Sequence, residues 1–526
     1  MRQLNRAIGL AAVVAMTLTP LSARAGGFDI PDVGTEALGR GGAFVAKADS
    51  PLALYYNIAG LAQQRGTRLL IDSHIAFYDQ AFTRFGNYPG DPKDPSTPWA
   101  GKPYPTVHDK GGPGPIPFLG VTTDFGYFEK WTFGMGIYAP PGLGVHQYGT
   151  RNDVTVYDPK DATKTYTTPR YEVDAPASPN ASWTGANNRA PSPARYDIAE
   201  TNLLILMPTF AAAYRVNKYL DVGAAFQVVY AKFDLMNANL NPLGSDLCHS
   251  TPEYPVRDYP DCDSYGNIFT ETTTYSGVLS VLAHPADWID VGLTYRPQIN
   301  LDSTGHIHPY VTIQSPLPVP DFPVSFKTKL PNILRGGVRA VSRYPDGTER
   351  ADLELDATWE QWSVEKAAII NSDQFPLGNG VLHIEVPHNY RDTFSVRLGG
   401  AYNHRLSDTR RLIFRMGTYF DSAATKTDDN HLDAITAAKY GFTLGLGYKF
   451  PGMTINLAYA AIFVPDRTVN NSSVTAISAI NGTNYLPSDN PTIPVGNGLY
   501  QTSLQMLSLG LTFNFAEFGR SSLYTR

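Results

Sequence analysis

The sequence is short of charge, of long apolar runs and of catalytic motifs, and each shortage removes a class of protein. Only 17% of its 526 residues are charged and the formal net charge is −6, so no bulk electrostatic attraction to nucleic acid is expected. After residue 25 there is no run of about 18 apolar residues, which argues against a helical membrane protein. No nucleophile elbow, Walker loop or HExxH motif is present, so the sequence does not indicate an enzyme.

The chain is instead rich in aromatic residues and glycine. It contains 31 Tyr, 25 Phe and 46 Gly, which is unusual beside so little charge in an ordinary secreted domain. A transmembrane β-barrel reconciles these features, because each of its strands turns half of its residues to lipid and half to a polar lumen.

Residues 1–25 have the pattern of a cleaved secretory signal. Arg2 and Arg6 precede an apolar run over residues 7–18, and Ala23-Arg24-Ala25 matches a small-residue cleavage site. The alternative is an N-terminal membrane anchor, but the run is shorter than the ~20 residues that a spanning helix needs.

Alternating apolar and polar residues predict strands over most of residues 67–515. In residues 440–450 large apolar residues alternate strictly with Gly, Thr and Lys, Pro451-Gly452 forms a turn, and the alternation resumes at Met453. We predict an all-β fold of fourteen antiparallel strands, near residues 67–85, 116–126, 131–141, 200–216, 219–236, 270–284, 287–303, 323–345, 348–364, 388–405, 409–424, 436–450, 452–467 and 500–515.

The predicted connections alternate between short turns and long loops without exception. Turns such as 217–218 and 451–452 carry Asn, Pro and Gly, whereas segments such as 142–199 and 468–499 are long. All long loops would then lie at one end of a barrel, which is typical of outer-membrane proteins. A soluble β-sandwich or propeller also shows alternation, but it gives no reason for this asymmetry.

Residues 26–66 do not resemble the strands, since they are small, Gly/Ala-rich and weakly helical. We predict that they plug a barrel formed by residues 67–515, with residues 516–526 as a C-terminal tail. A plug is needed because side chains fill barrels of ~8 strands but not much wider ones. The alternative, a disordered periplasmic tail, is disfavoured by the apolar residues Phe44, Leu52, Leu54 and Tyr55.

Short segments along the chain match a known pattern. They are Gly26-Gly27-Phe28, Leu38-Gly39-Arg40, Ala48-Asp49, residues 56–62, Leu293-Thr294-Tyr295-Arg296, Tyr390-Arg391-Asp392 and Leu398-Gly399. In these segments the chain resembles the FadL/TodX family of outer-membrane transporters of long-chain fatty acids and other hydrophobic compounds. The resemblance extends over nearly the whole chain from residue 26 and implies a 14-stranded transmembrane β-barrel with an N-terminal hatch in its lumen.

The resemblance also implies roles for particular residues. Phe28 matches an aromatic residue that contacts ligand in the central pocket. Pro140-Pro141-Gly142 follows the third strand, where a kink in the family opens the wall sideways; the alternative is that the strand ends there and an outer loop begins. The family's hatch typically carries Asn-Pro-Ala, whereas this chain has Asn57-Ile58-Ala59, which puts a gate based on a rigid proline turn in doubt.

Three arginines on predicted inward faces, Arg296, Arg397 and Arg415, are candidates for binding a carboxylate head group. The alternative is that they pair with inward acids such as Glu354, Asp356 or Asp421, and for any single arginine we favour this structural role because buried charges need partners.

The two cysteines, Cys248 and Cys262, lie in one predicted outer loop. Export to an oxidising compartment favours a disulfide between them, which would close a loop of ~15 residues and contribute around 3 kcal/mol in the chain-entropy model. Metal binding is the weaker alternative, since there is no CxxC pair. We expect neither a metal nor a cofactor.

The function expected from sequence is passive uptake of long-chain fatty acids or similar hydrophobic molecules by a monomeric multi-pass channel of the outer membrane. The ligand and outer-membrane lipid are the expected partners, with lateral exit near Pro140. A porin for polar solutes and an outer-membrane lipid hydrolase remain as alternatives.

Overall fold

Fourteen strands close into one antiparallel barrel in the computed structural model. The structure describes residues 33–88, 99, 101–140, 144–158, 161–174, 189–240, 263–310, 320–376, 380–433, 436–476 and 494–516. In chain order the wall strands are β1 (Arg68–Arg84), β2 (Gly114–Thr123), β3 (Trp131–Tyr138), β4 (Glu200–Leu206 and Thr209–Asn217), β5 (Leu220–Leu240), β6 (Asp263–Ala286), β7 (Ile289–Arg296 and Ile299–Tyr310), β8 (Phe322–Leu330 and Ile333–Arg343), β9 (Glu349–Glu360), β10 (Thr393–Arg405), β11 (Arg411–Asp421), β12 (Lys439–Phe450), β13 (Met453–Val469) and β14 (Gly498–Asn514).

The first and last wall strands pair with each other and close the barrel. β1 pairs with β14 from Arg68 opposite Asn514 to Arg84 opposite Gly498, and its other edge pairs with β2. Further short strands lie in the long connections, at Thr106–His108, Val145–Gln147, Thr150–Asp158, Asp161–Asp174, Arg189–Pro191, Ala367–Ser372 and Leu382–Pro387.

The wall strands turn apolar side chains outward. On β12, Phe442 and Leu444 are 63% and 62% exposed, whereas Thr443 between them is 3% exposed. The same alternation places Phe394 of β10 and Met416 of β11 outside, at 60% and 68% exposure. A continuous apolar outer face with small and polar residues inside is what a strand barrel needs in order to sit in lipid.

Three wall strands are interrupted, and each interruption contains a proline. β4 breaks at Pro208, β7 at Pro297 and β8 at Pro331. Proline cannot donate to a strand ladder, so pairing stops for one or two residues and then resumes. The sequence predicted each of these strands as continuous, and it placed the start of β6 at residue 270, although the strand begins at Asp263 and pairs there with Leu240.

The described residues form few helices, and all of them are short. They are α1 (Thr35–Leu38), α2 (Ala53–Tyr56) and three 3-10 helices at Ile58–Gln63, Trp362–Val364 and Thr427–Asp429. Within the part of the chain that the structure describes, none of them has the length and apolar character needed to cross a membrane.

Residues 33–66, here called the N-terminal segment, pack against the inner wall. α1, α2 and the first 3-10 helix all lie in this segment, and its apolar residues, including Phe44, Leu54 and Tyr56, are almost completely buried. The segment touches β10 and β11 on one side and β3 on the other. It therefore determines how much of the barrel interior is open at its level.

Candidate functional site

One inward face of β9 holds the N-terminal segment through buried carboxylates. Asp352, Glu354 and Asp356 alternate along the strand, so all three point into the barrel. Arg40 Nη2 lies 2.6 Å from Asp352 Oδ2 and 3.0 Å from Glu354 Oε2. Asp356 Oδ2 accepts the backbone N–H groups of Phe44 and Val45 at 2.8 and 3.0 Å. The segment is thus attached by an ion pair and by its own backbone.

Two of the three candidate arginines have structural partners. Arg397 Nη2 lies 2.9 Å from Asp421 Oδ1, and its Nη1 donates to Gly41 O at 3.1 Å. Arg415 Nη2 lies 3.2 Å from Glu36 Oε1 and its Nη1 donates to Asn456 Oδ1 at 2.9 Å. Both guanidinium groups therefore have a carboxylate partner in the N-terminal segment or on a neighbouring strand, as expected for lumen structure, although Arg415 Nε has no hydrogen-bond partner among the described residues.

Arg296 differs from the other two. Its side chain is buried, and among the described residues no carboxylate lies within ion-pair distance of it. Its Nη1 approaches the sulfur of Met207 at 3.9 Å, and its Nε has no hydrogen-bond partner. A buried cation with donors to spare is costly unless an anion compensates it. Of the three candidates, Arg296 is the one that has no carboxylate partner among the described residues.

Aromatic and aliphatic side chains surround this arginine. Arg335 on the neighbouring strand lies with its guanidinium 4.6 Å above the ring of Tyr55. Tyr55 meets Tyr138 edge to face at 5.3 Å. One buried apolar cluster joins the N-terminal segment to the wall and includes Leu54, Tyr56, Phe118, Met207, Ile299, Leu301, Phe326, Trp362 and Tyr390. Apolar walls with few convergent polar groups are typical of sites for hydrophobic ligands.

The ladder between β2 and β3 is broken. Phe118 pairs with Tyr138, and the next backbone bond between the two sides runs from Lys110 N–H to Gln147 O at 2.8 Å. Among the described residues between these points, 111–117 on one side and 139–140 and 144–146 on the other, there is no register pair. This break in the ladder, here called the gap, lies beside the apolar cluster.

The hydrogen bonds of β4 to the chain after β3 show the same irregularity. Tyr138 O accepts the N–H of Met207 at 2.8 Å, and Gly144 O accepts the N–H of Leu203 at 3.0 Å. Six residue steps from Tyr138 to Gly144 are therefore opposite only four steps from Met207 back to Leu203 on β4, an excess of two residues that is here called the bulge. Pro140, where the sequence predicted a lateral opening, lies within these six steps and is buried, while Pro141 and Gly142 lie outside the described residues.

Two prolines on β2 border the gap from its other side. Thr67 O accepts the N–H of Phe515 next to β14, so odd-numbered residues of β1 face β14 and even-numbered ones face β2. Ile116 pairs with the even-numbered His74, which leaves Pro115 and Pro117 directed toward β3. Neither can donate a hydrogen bond across the gap.

The Asn57-Ile58-Ala59 turn is held by side chains of both the segment and the wall. Asn57 is fully buried and donates through Nδ2 to Val45 O at 2.8 Å and Val281 O at 3.2 Å. Ala59 N–H donates to Ser280 Oγ at 2.8 Å. Asn57 precedes the 3-10 helix in an extended conformation, with φ −162° and ψ 103°. The turn is therefore ordered without a proline.

The outer ends of the strands are joined by histidines. His431 Nδ1 lies 2.7 Å from Asp197 Oδ1, and its Nε2 lies 2.9 Å from Pro387 O. Burial opposes a charge on His431, but the Asp197 carboxylate outweighs it and raises the pKa of His431 to about 9. His146 Nδ1 lies 2.8 Å from Asp109 Oδ2 and its Nε2 3.0 Å from Tyr78 Oη, and burial lowers the pKa of His146 to about 4.

Some predicted residues fall outside the described part of the chain, and some observed ones were missed. Phe28, the residues 1–25 predicted as a signal, and the cysteines Cys248 and Cys262 are not described, so their roles remain predictions. Pro115 and Pro117 were not predicted from the sequence, although prolines at alternate positions of a strand signal a broken ladder. In the described residues no group of three or more His, Cys, Asp and Glu side chains is arranged to hold a metal ion.

Solved structures of outer-membrane channels share this architecture. A Pseudomonas aeruginosa FadL homologue matches with a TM-score of 0.66 and 17% identity, over 93% of this chain and 100% of that chain. The Ralstonia pickettii toluene transporter TbuX matches with a TM-score of 0.57 and 16% identity, over 93% and 99%. The Pseudomonas putida toluene transporter TodX matches with a TM-score of 0.57 and 14% identity, over 92% and 99%. No curated protein sequence matches the chain.

Sequence identities this low show the fold but not the family, and a match to a family model shows the family. The model described as "Outer membrane protein transport protein (OMPP1/FadL/TodX)" matches residues 182–490, which is more than half of the chain. The match runs from the loop before β4 to the loop before β14 and includes Arg296, Met207 and Arg335. Together with the closed 14-strand barrel, it shows that the chain belongs to the OMPP1/FadL/TodX family of outer-membrane proteins, which are transporters of hydrophobic compounds and not enzymes.

Proposed function

We propose that this protein takes up long-chain fatty acids or comparable amphipathic molecules passively, with residues 26–66 as a hatch and with sideways exit through the gap between β2 and β3. The observation that carries the proposal is the gap itself, which lies beside the apolar cluster containing Phe118 and Tyr138. An apolar ligand that leaves sideways passes from an apolar lumen into lipid and never loses the hydrophobic driving force to water.

The length of the bulge provides the test of sideways exit. Deleting Pro140 and Pro141 removes the two extra residue steps after β3, so the ladder to β4 and β2 can close. We expect uptake of radiolabelled oleate, measured in cells without another transporter, to fall to background while the barrel keeps its heat-modifiable migration on gels. Replacing the same two prolines by serines keeps the extra length and is the matched control. Undiminished uptake by the deletion variant contradicts the proposed exit.

Arg296 favours an acid over a neutral hydrocarbon as the ligand. Its buried donors have no carboxylate partner among the described residues, and a ligand carboxylate would supply one. A hydrogen bond between charged groups contributes about 1.5–3 kcal/mol. We propose that the head group binds here, close to Arg335 and Tyr138, with the alkyl chain along the apolar cluster.

The variant Arg296→Met separates the two ligand classes. We expect binding of a long-chain fatty acid to weaken by about 10–100-fold, and binding of the fatty alcohol of the same length to change little, as measured by calorimetry on the purified barrel. Arg397→Met is the structural control, because it removes a partner of Asp421 and of Gly41 O and should lower stability without distinguishing the ligands. Equal loss for acid and alcohol would argue for a hydrocarbon channel.

A further inference from the structure

A second site lies at the long-loop end of the barrel, away from the lumen cluster. A cavity of about 450 Å³ opens between the loop that follows β11 and the outer end of β13. Three cationic residues, Arg391, Lys426 and Arg467, and one acidic residue, Asp466, line it. Cations thus outnumber carboxylates around a concave surface.

None of the three cations forms an ion pair with an acidic residue in the described part of the chain. Among the described residues no carboxylate lies within 4.0 Å of the charged groups of Arg391, Lys426 or Arg467. Asp466 instead accepts a hydrogen bond from Gln501 Nε2 at 2.9 Å. Asp392, the chain neighbour of Arg391, accepts the backbone N–H of Ser363 at 3.1 Å. The site therefore keeps its positive charge.

Arg467 is held in position by neutral groups. Its Nη1 donates to Thr425 Oγ1 at 2.8 Å and to Asn430 Oδ1 at 2.9 Å. These bonds fix the guanidinium without compensating its charge, which leaves it oriented to receive an anion. A bulge in the ladder between β13 and β14, at Val464 to Arg467, brings this side chain to the cavity.

The level of the cavity relative to the membrane identifies the source of the anion. Phe463 and Tyr440 form a register pair and are 64% and 41% exposed on the outer face, so they belong to the lipid-facing band. Pro465 and Asp466, which line the cavity, follow Phe463 by two and three residues. The cavity therefore lies just beyond the apolar band, at the depth of lipid head groups.

We propose that Arg391, Lys426 and Arg467 bind a phosphate group carried by the head group of an outer-leaflet lipid. A phosphomonoester brings up to two negative charges and three acceptor oxygens, which suits two guanidinium groups and one ammonium group around a cavity of this size. The bound lipid fastens the outer end of β13 and the loop after β11 to the membrane surface.

Native mass spectrometry of the full-length barrel in detergent tests the site. The probes are lipid A, which is a phosphorylated glycolipid, its dephosphorylated form, and inorganic phosphate as a competitor. We expect the wild type to retain lipid A in preference to the dephosphorylated form, and inorganic phosphate to displace it. The double variant Arg391→Gln and Arg467→Gln should retain at least about tenfold less lipid A than the wild type.

Two further variants keep the test independent of folding. Lys426 is exposed, so Lys426→Gln should reduce retention by a few-fold at unchanged thermal stability. Lys218→Gln removes a charge at the opposite end of the barrel and should change nothing. Equal retention of phosphorylated and dephosphorylated lipid overturns the proposal, as does retention that none of the cavity variants alters. Binding of inorganic phosphate without any effect on lipid retention also overturns it.

Discussion

The N-terminal segment meets the barrel wall in two different ways on its two sides. Toward β9, β10 and β11 it is fixed by buried charges and by direct backbone approach, since a Cβ at Gly399 would lie 1.8 Å from Arg40 O. Toward β3 it presents leucine side chains, and a Cβ at Gly134 would meet Leu54 Cδ2 at 2.8 Å. The first contact is made by buried ion pairs and close backbone approach. The second is made mainly by apolar side chains, with two hydrogen bonds from the hydroxyl groups of Thr122 and Thr132 to Gln64.

The difference bears on how the barrel can open. Ion pairs between buried groups are directional and costly to break singly, whereas apolar side chains can slide with little change in free energy as long as they stay covered. The apolar side is also the side with the gap between β2 and β3. We infer that the segment is fastened away from the gap and adaptable beside it, so that a ligand can pass without release of the whole segment.

The largest effect is expected from breaking the charged side at Arg40. In Arg40→Met, Glu354 loses its cationic partner while still buried, and Asp352 keeps only Arg339. Removal of one partner of a buried ion pair costs about 3–5 kcal/mol. We expect the N-terminal segment to become accessible to protease and the purified barrel to conduct ions in planar bilayers.

An exposed pair supplies the control for Arg40. Arg405 lies 2.6 Å from Asp346 in a short turn, and exposed pairs contribute roughly 0–1 kcal/mol. Arg405→Met should therefore leave conductance and protease resistance as in the wild type. If the Arg40→Met barrel also conducts no ions and resists protease, the ion pairs are not needed to hold the N-terminal segment. The proposed difference between its two sides would then be wrong.

The pair formed by His431 and Asp197 connects two outer loops and makes the contact between these loops dependent on pH. His431 belongs to the loop after β11 and Asp197 to the loop before β4. Because the pKa of His431 is raised to about 9 in the folded protein, above its usual value near 6.5, its stabilising contribution is complete below about pH 6.5. The contribution is lost as the pH rises through about 9.

Limited proteolysis of the outer loops between pH 6 and pH 10 measures this effect. We expect cleavage in the loop after β11 to increase as the pH passes about 9, while the wall strands remain resistant. His431→Gln cannot carry the charge, so its cleavage rate should be higher at pH 7 and lack the step near pH 9. A step of the same size in the variant would assign the pH dependence to another group.

The sequence could predict the barrel because the pattern is local. All fourteen strands were found from alternation within each strand, and the outward residues of β12 are those that the alternation assigned. The interruptions of β7 and β8 were missed, since Pro297 and Pro331 were read as part of continuous strands. Tertiary pairing on both sides of each proline decides where a strand resumes, and alternation alone does not contain that information.

The site could be predicted only in part, because its chemistry depends on distant partners. Arg296, Arg397 and Arg415 look alike in sequence, and only the fold brings Asp421 to one and Glu36 to another. Only the structure therefore shows that Arg296 has no carboxylate partner among the described residues. The acids of β9 were recognised as inward-facing, but the backbone N–H groups that Asp356 accepts lie more than 300 residues away in sequence.

The smallest effect on stability is expected at Ile58, which stands where the family typically carries a proline. Ile58 is the first residue of a 3-10 helix, and among the described residues its backbone N–H has no hydrogen-bond acceptor. Proline fits such a position, since it lacks only a donor that is not used. Ile58→Pro should therefore be tolerated and raise the free energy of unfolding by about 0.4–1 kcal/mol through the unfolded state.

The neighbouring residue provides the matched control. Ala59 N–H donates to Ser280 Oγ at 2.8 Å and to Asn57 Oδ1 at 3.1 Å, so Ala59→Pro removes a donor that the turn uses and should cost about 1–3 kcal/mol. Thermal unfolding of both variants measures the difference. Destabilisation by Ile58→Pro comparable to that of Ala59→Pro would mean that this turn has changed its geometry along with its sequence. If Ile58→Pro is instead as stable as the wild type or more stable, Asn57 and the barrel wall determine the conformation of the turn without a proline.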